Sequence, residues 1–103
     1  MRLKNGLSEP TIIHWHGQIP DNAQDGVPDM PMPMLQPGDI RAYDFAARPG
    51  THWMHSHVPT QEMQLLAAPL IVRSAEVVAD RQEVVMFLHD FSFKAPEEVL
   101  AEI

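Results

Sequence analysis

The sequence contains no cysteine, only five glycines and no long apolar run. Without cysteine, the chain has no disulfide, no zinc site of the cysteine type, no thiol nucleophile and no copper centre that needs a thiolate ligand. No apolar stretch approaches the roughly 20 residues needed to cross a bilayer, so we expect no membrane span. The first ten residues, MRLKNGLSEP, lack the apolar core of a signal peptide.

Positive charge is also scarce, since seven lysines and arginines stand against 14 aspartates and glutamates, for a net charge of -7. This balance argues against nucleic acid or an anionic membrane surface as the partner. The hydrophobic content of 45% and the charged content of 20% are typical of a globular protein. A chain of 103 residues has room for one compact domain and not for two of ordinary size.

The pattern of the chain favours strands over helices. Ten prolines indicate many turns, and the proline-rich stretch 18–39 is predicted to be a loop. Near the C-terminus, Pro96 suits a first helical position and Glu97 and Glu98 favour the helix dipole, which predicts a short helix. We therefore expect an all-β fold with one short C-terminal helix. The β-branched and aromatic runs predict strands within 1–5, 11–17, 40–47, 51–57, 69–72 and 83–91.

Four of the six histidines occur as two His-x-His pairs, His14 with His16 and His55 with His57. Residues two apart on a strand project from the same face, so each pair points one way. Two such strands side by side would bring four imidazoles together, and protonated imidazoles would repel one another unless a cation lay between them. Neutral imidazole suits copper, zinc, iron and nickel, and the spacing alone does not choose among them.

Other residues have competing interpretations. A single His-x-His pair also occurs as polar alternation on a half-exposed strand. The three methionines of DMPMPML (29–35) could hold Cu(I), but the interleaved prolines favour an extended loop that covers apolar surface. His52 has the wrong parity to join His55, and His89 lies outside the pairs, so neither is predicted to be a ligand.

The order of short motifs adds a resemblance to a known family. HWHG (14–17), DGVP (25–28), PG (37–38), GTHWMHSH (50–57), Gln61 and PLIV (69–72) follow one another as in the first cupredoxin domain of multicopper oxidases, the laccases and copper-tolerance oxidases. The resemblance implies a cupredoxin-like Greek-key β-sandwich over 1–76 that is incomplete because its first strands are absent. It also implies that 77–103 are a linker and the first strand of the following cupredoxin domain. Leu65 and Ala68 stand where relatives often carry glycine.

The resemblance also implies a role for each histidine. His14 matches the ligand of a type 2 copper, His16 and His55 match ligands of one type 3 copper, and His57 matches a ligand of the other type 3 copper. Asp25 matches an acid beyond the ligands that assists proton delivery, although a turn residue before a glycine is the simpler alternative.

By this resemblance, the parent protein couples the one-electron oxidation of a reducing substrate to the four-electron reduction of dioxygen to water at a trinuclear copper cluster. The family's eight cluster histidines are shared between its first and last cupredoxin domains, and its type 1 copper needs a cysteine. We therefore expect this chain to be a fragment that is completed by the remaining domains and is inactive alone. The alternative is a stand-alone copper- or zinc-binding module without turnover.

The reducing substrate could be a phenol, a metal ion or an amine, and the sequence does not choose among them. A periplasmic or extracellular location is implied by the resemblance alone.

Overall fold

The computed structural model describes residues 1–74 and 82–102, which form two antiparallel sheets and two short helices. In the smaller sheet, β1 (Arg2–Lys4) pairs with β3 (Ile40–Ala42). In the larger sheet, β4 (Gly50–Ser56) lies between β2 (Ile13–His16) and β5 (Ala67–Val72). This architecture confirms the expected all-β class.

Two α-helices and one 3₁₀ turn complete the regular structure. Helix α2 (Pro96–Glu102) confirms the predicted C-terminal helix, with both glutamates in its first turn. Helix α1 (Pro59–Met63) directly follows β4 and was not predicted, and a 3₁₀ turn spans Asn22–Gln24. Within the described residues, neither helix has the length and apolar character that crossing a membrane requires.

The core of the described residues is small and includes Trp15 of β2. Ile12, Trp15, Leu35 and Tyr43 are its buried hydrophobic residues, and the indole of Trp15 meets the ring of Tyr43 edge to face at 5.3 Å. Because successive strand residues face opposite ways, burial of Trp15 turns the two flanking histidines of β2 away from this core.

The predicted strand over 83–91 does not form, and no described strand pairs with the backbone of this segment. Its side chains are largely exposed, including Val84 at 78%, Met86 at 79% and Leu88 at 83%. A continuous apolar run has the capacity to be a strand, but it becomes one only where a neighbouring edge supplies hydrogen bonds. The predicted boundary at 76/77 lies outside the described residues, so the assignment of this segment to a following domain stays a prediction.

Strand β5 is longer than the predicted 69–72, and its residues are half-buried or exposed. It is an edge strand, where the missing N–H of Pro69 is tolerated. The chain enters β5 through Leu65, whose φ of 67° is in the left-handed region that favours glycine. This backbone conformation explains why glycine would suit that position.

Candidate metal centre

The register of β2 against β4 brings the histidine pairs together. His14 lies directly opposite His55, and His16 lies opposite Trp53. Directly opposed residues of an antiparallel pair project from the same face, so His14, His16 and His55 share one side of the sheet. One ring nitrogen from each of these three histidines lies within 4.8 Å of the other two.

His57 lies next to this group, one residue beyond the end of β4. Its backbone N–H donates to the carbonyl oxygen of Ile12 at 3.0 Å, which continues the ladder by one residue. The ring of His14 is at the centre of the four, with centroid distances of 5.5 Å to His16, 5.4 Å to His55 and 5.8 Å to His57. The four predicted imidazoles therefore converge, with His57 adjacent to the group of three.

Hydrogen bonds to backbone carbonyl oxygens determine which ring nitrogen of His14 and of His55 is available to bind a metal ion. His14 Nδ1 lies 2.6 Å from the carbonyl oxygen of Asp25, and His55 Nδ1 lies 2.9 Å from that of Ser56. A carbonyl oxygen only accepts, so each Nδ1 carries the hydrogen and each Nε2 keeps its lone pair. Such a carbonyl partner is the usual way in which a metal-binding histidine is oriented.

The distance between the facing nitrogens of His16 and His55 fits one metal ion bound by both rings. His16 Nδ1 and His55 Nε2 are 3.3 Å apart. Two nitrogens that each lie about 2.0–2.1 Å from one ion are separated by roughly 2.9 to 3.4 Å when the angle at the ion is about 90° to 110°. The observed separation lies in this range, so the donor pair suits an imidazole-binding metal such as copper.

Trp53 covers the same two rings. Its indole stacks on His55 at 4.2 Å with an interplanar angle of 29°, and on His16 at 5.0 Å with an angle of 26°. This stacking limits how far either imidazole can rotate.

Two carboxylates lie beside the protonated nitrogens of the cross-strand pair. Asp25 Oδ1 is 3.5 Å from His14 Nδ1, and Glu62 Oε1 is 3.7 Å from His55 Nδ1. The location of Asp25 agrees with its predicted place near the site, and its part in proton delivery stays a prediction. Glu62 was missed by the sequence analysis, although Pro59 followed by an acidic residue three positions later is a signal of a helix start.

Gly26 allows the loop that carries Asp25 to touch β2. A Cβ on Gly26 would lie 1.8 Å from the carbonyl oxygen of Ile13 and 2.8 Å from the Cα of His14, and the φ of Gly26 is +80°. Only glycine permits so close an approach of two backbones. The glycine of the DGVP motif therefore sets the distance from the Asp25 carbonyl to His14.

A buried polar network holds α1 against the ligand strands. The Gln61 side chain is 3% exposed, and its Oε1 accepts hydrogen bonds from Thr11 Oγ1 at 2.6 Å and Ser56 Oγ at 2.7 Å. Its Nε2 donates to Glu9 Oε1 at 2.9 Å and to the carbonyl oxygen of Pro10 at 2.8 Å. The network therefore fixes Ser56, which lies between His55 and His57.

The other two histidines have different surroundings. His52 Nε2 lies 3.2 Å from the carbonyl oxygen of Arg48, and its ring packs over Gly17. His89 packs edge to face on Phe87 at 4.2 Å. Neither belongs to the group of converging nitrogens.

Comparisons with known proteins agree with this geometry. A family model described as multicopper oxidase matches residues 1–77. Copper resistance protein A of Escherichia coli is 36% identical over 107 residues, which cover 100% of this chain and 18% of the relative. Laccase-2 of Botryotinia fuckeliana is 39% identical over 94 residues, which cover 86% of this chain and 16% of the relative.

Solved structures show the same fold. Lac15 from a marine microbial metagenome has a TM-score of 0.66 and 38% identity, over 76% of this chain and 22% of that protein. The blue copper oxidase from Nitrosomonas europaea has a TM-score of 0.62 and 33% identity, over 75% of this chain and 26% of that protein. The chain spans about a fifth of the length of the copper resistance protein that it matches. With a family model that covers most of its length and the fold of these oxidases, this chain belongs to the multicopper oxidase family.

Proposed function

We propose that this chain is the copper-binding part of a multicopper oxidase and supplies half of the ligands of a trinuclear copper cluster. The observation that carries the proposal is the 3.3 Å separation of His16 Nδ1 and His55 Nε2. Imidazole nitrogens suit copper, and the carbonyl partner at the Nδ1 of His55 leaves its Nε2 free to bind.

The individual assignments are those that the family resemblance implies, and the positions of the rings are compatible with them. His16 and His55, whose nitrogens meet, bind one type 3 copper. His57 lies outside the group of three and binds the other type 3 copper. His14, the first histidine of the HWHG motif, binds the type 2 copper by the same resemblance, and its ring lies within 5.8 Å of the other three.

In the parent protein, bound copper supplies the redox chemistry that couples oxidation of a reducing substrate to reduction of dioxygen to water. The residues of this chain bind and orient. Asp25 orients His14 through its carbonyl oxygen, and its carboxylate, 3.5 Å from the His14 Nδ1, is placed to assist proton delivery to the cluster. Trp53 keeps the two rings beneath it from turning.

The remaining ligands and the type 1 thiolate come from further cupredoxin domains of the parent. Residues 1–76 belong to the first such domain, and 77–103 lead into the next. The exposed apolar side chains of Val84, Met86 and Leu88 support this part of the proposal, because they suit burial against another domain. A periplasmic or extracellular location follows the family, and the chain alone binds copper without turnover.

Copper binding by the chain is tested by calorimetric titration with Cu(II). We expect His16→Ala and His55→Ala each to lower the affinity by at least about tenfold, because removal of a ligand costs no less than removal of its supporting partner. His89→Ala is the matched control and should bind as the wild type does, since His89 lies away from the converging nitrogens. Equal affinity in all three variants would contradict the proposal.

The parent enzyme is distinguished from a stand-alone module by the reading frame that follows the codon of Ile103. We expect it to encode further histidine motifs and a His-Cys-His motif. A finished frame with neither would leave a copper- or zinc-binding module without turnover.

A further inference from the structure

We propose that Glu62 is a positioning residue of the copper site and that its negative charge, held beside the Nδ1–H of His55, strengthens the binding of Cu(II) at the Nε2 of that ring. The inference rests on the proposed copper-binding function. It concerns a carboxylate from α1, which none of the motifs that carry the family resemblance includes.

The geometry indicates that Glu62 acts through charge. The hydrogen on His55 Nδ1 is already accepted by the carbonyl oxygen of Ser56 at 2.9 Å, whereas Glu62 Oε1 lies at 3.7 Å. The side chain of His55 is only 7% exposed, while that of Glu62 is 44% exposed. The carboxylate therefore keeps its hydration while its field reaches a ring that is shielded from water.

The position of Glu62 is determined by its neighbour. Gln61 is anchored by the buried network, and the Glu62 N–H donates to the carbonyl oxygen of Val58 at 3.0 Å. The backbone of α1 is thus fixed one residue away from the carboxylate. With the backbone fixed, the position of the Glu62 carboxylate depends only on the rotamer of its side chain.

The same arrangement occurs on the other side of the ladder. His14 donates its Nδ1 hydrogen to the carbonyl oxygen of Asp25, and the Asp25 carboxylate lies 3.5 Å from that nitrogen. His14 and His55, which lie directly opposite each other, therefore each have a carbonyl oxygen and a carboxylate beside Nδ1. The two carboxylates come from separate segments of the chain. Glu62 is the counterpart of Asp25 on the second ligand strand.

A charge effect has a signature that distinguishes it from a packing effect. The Coulomb energy between a carboxylate and a metal ion grows with the charge of the ion, so Glu62 favours Cu(II) over Cu(I). Removal of its charge should weaken Cu(II) binding more than Cu(I) binding and should raise the reduction potential of the bound copper.

The test compares the full chain with Glu62→Gln, which keeps the shape and removes the charge. Glu98→Gln, at an exposed position in the first turn of α2, removes the same charge elsewhere and is the control. We expect Glu62→Gln to lower the Cu(II) affinity about tenfold and the Cu(I) affinity only about threefold, because the Coulomb energy scales with the charge of the ion, and this difference corresponds to a rise of about 30 mV in potential. The thermal midpoint should stay that of the wild type, and high salt should reduce the difference.

Each other outcome decides a different question. Wild-type Cu(II) affinity in Glu62→Gln would overturn this inference and leave the proposed function standing. An equal loss of Cu(II) and Cu(I) affinity, with a lower thermal midpoint, would also overturn it, because Glu62 would then be structural. Failure of the wild-type chain to bind copper would overturn the proposed function itself.

Discussion

Gly26→Ala should damage the metal centre without touching any ligand. The new Cβ would lie 1.8 Å from the carbonyl oxygen of Ile13, which belongs to the backbone of a ligand strand and cannot turn away. To reach even 3.0 Å, the loop must move by about 1.2 Å, which can stretch the 2.6 Å contact between His14 Nδ1 and the Asp25 carbonyl to as much as about 3.8 Å, beyond hydrogen-bonding distance.

The expected cost has two parts. A non-glycine residue in the left-handed region costs about 1–2 kcal/mol, and the lost hydrogen bond costs about 0.5–1.5 kcal/mol. Gly38→Ala is the matched control, because Gly38 has a similar φ of +85° with no atom within 4 Å of a built Cβ. The left-handed cost is common to both variants, so we expect Gly26→Ala to lower the free energy of unfolding by about 0.5–1.5 kcal/mol more than Gly38→Ala does.

Urea unfolding measures the stability difference, and calorimetry with Cu(II) measures the effect on the site. Because the contact that orients His14 is lost, Gly26→Ala should bind Cu(II) about 10- to 100-fold more weakly, and Gly38→Ala should bind it normally. If the two variants had the same stability and the same copper affinity, the reasoning from the close approach of Gly26 to β2 would be refuted.

Two further predictions concern the support of the site and the entry into β5. Gln61→Ala should lower the free energy of unfolding, measured with urea, by about 2–4 kcal/mol, since four hydrogen bonds are lost and two of the partners, Thr11 and Ser56, are buried. The exposed control Gln64→Ala should change the stability by less than about 0.5 kcal/mol, and equal effects would contradict the role of the network. Leu65→Gly should raise the midpoint of thermal unfolding, by an amount equivalent to about 0.5–1 kcal/mol, because it relieves a left-handed leucine. A lower midpoint would show that the packing of the leucine side chain matters more.

The ligand strands could be predicted from the sequence because local chemistry and tertiary context agree there. β-Branched and aromatic residues surround His14 and His55 in the sequence. Because successive residues of a strand point to opposite faces, each histidine and its sequence neighbour project from different faces of the sheet. The pairing of His14 with His55 is a matter of register, which no single segment encodes.

The errors come from elements whose state depends on distant partners. The run 83–91 has the composition of a strand, but no described edge pairs with it. Helix α1 has only five residues, and the burial of Gln61 in a network with Thr11 and Ser56 decides its position. Glu62 was therefore missed together with the helix that carries it.

The pairing of β2 with β4 has a consequence for a chain without cysteine. His16 and His55 are 39 positions apart, yet their nitrogens lie 3.3 Å from each other. An ion bound by both would act as a cross-link across that length of polypeptide and would reduce the entropy of the unfolded chain as a disulfide does, by an amount worth about 4 kcal/mol at 25 °C. This sequence cannot form a disulfide, and metal binding at His16 and His55 would supply a reversible cross-link instead.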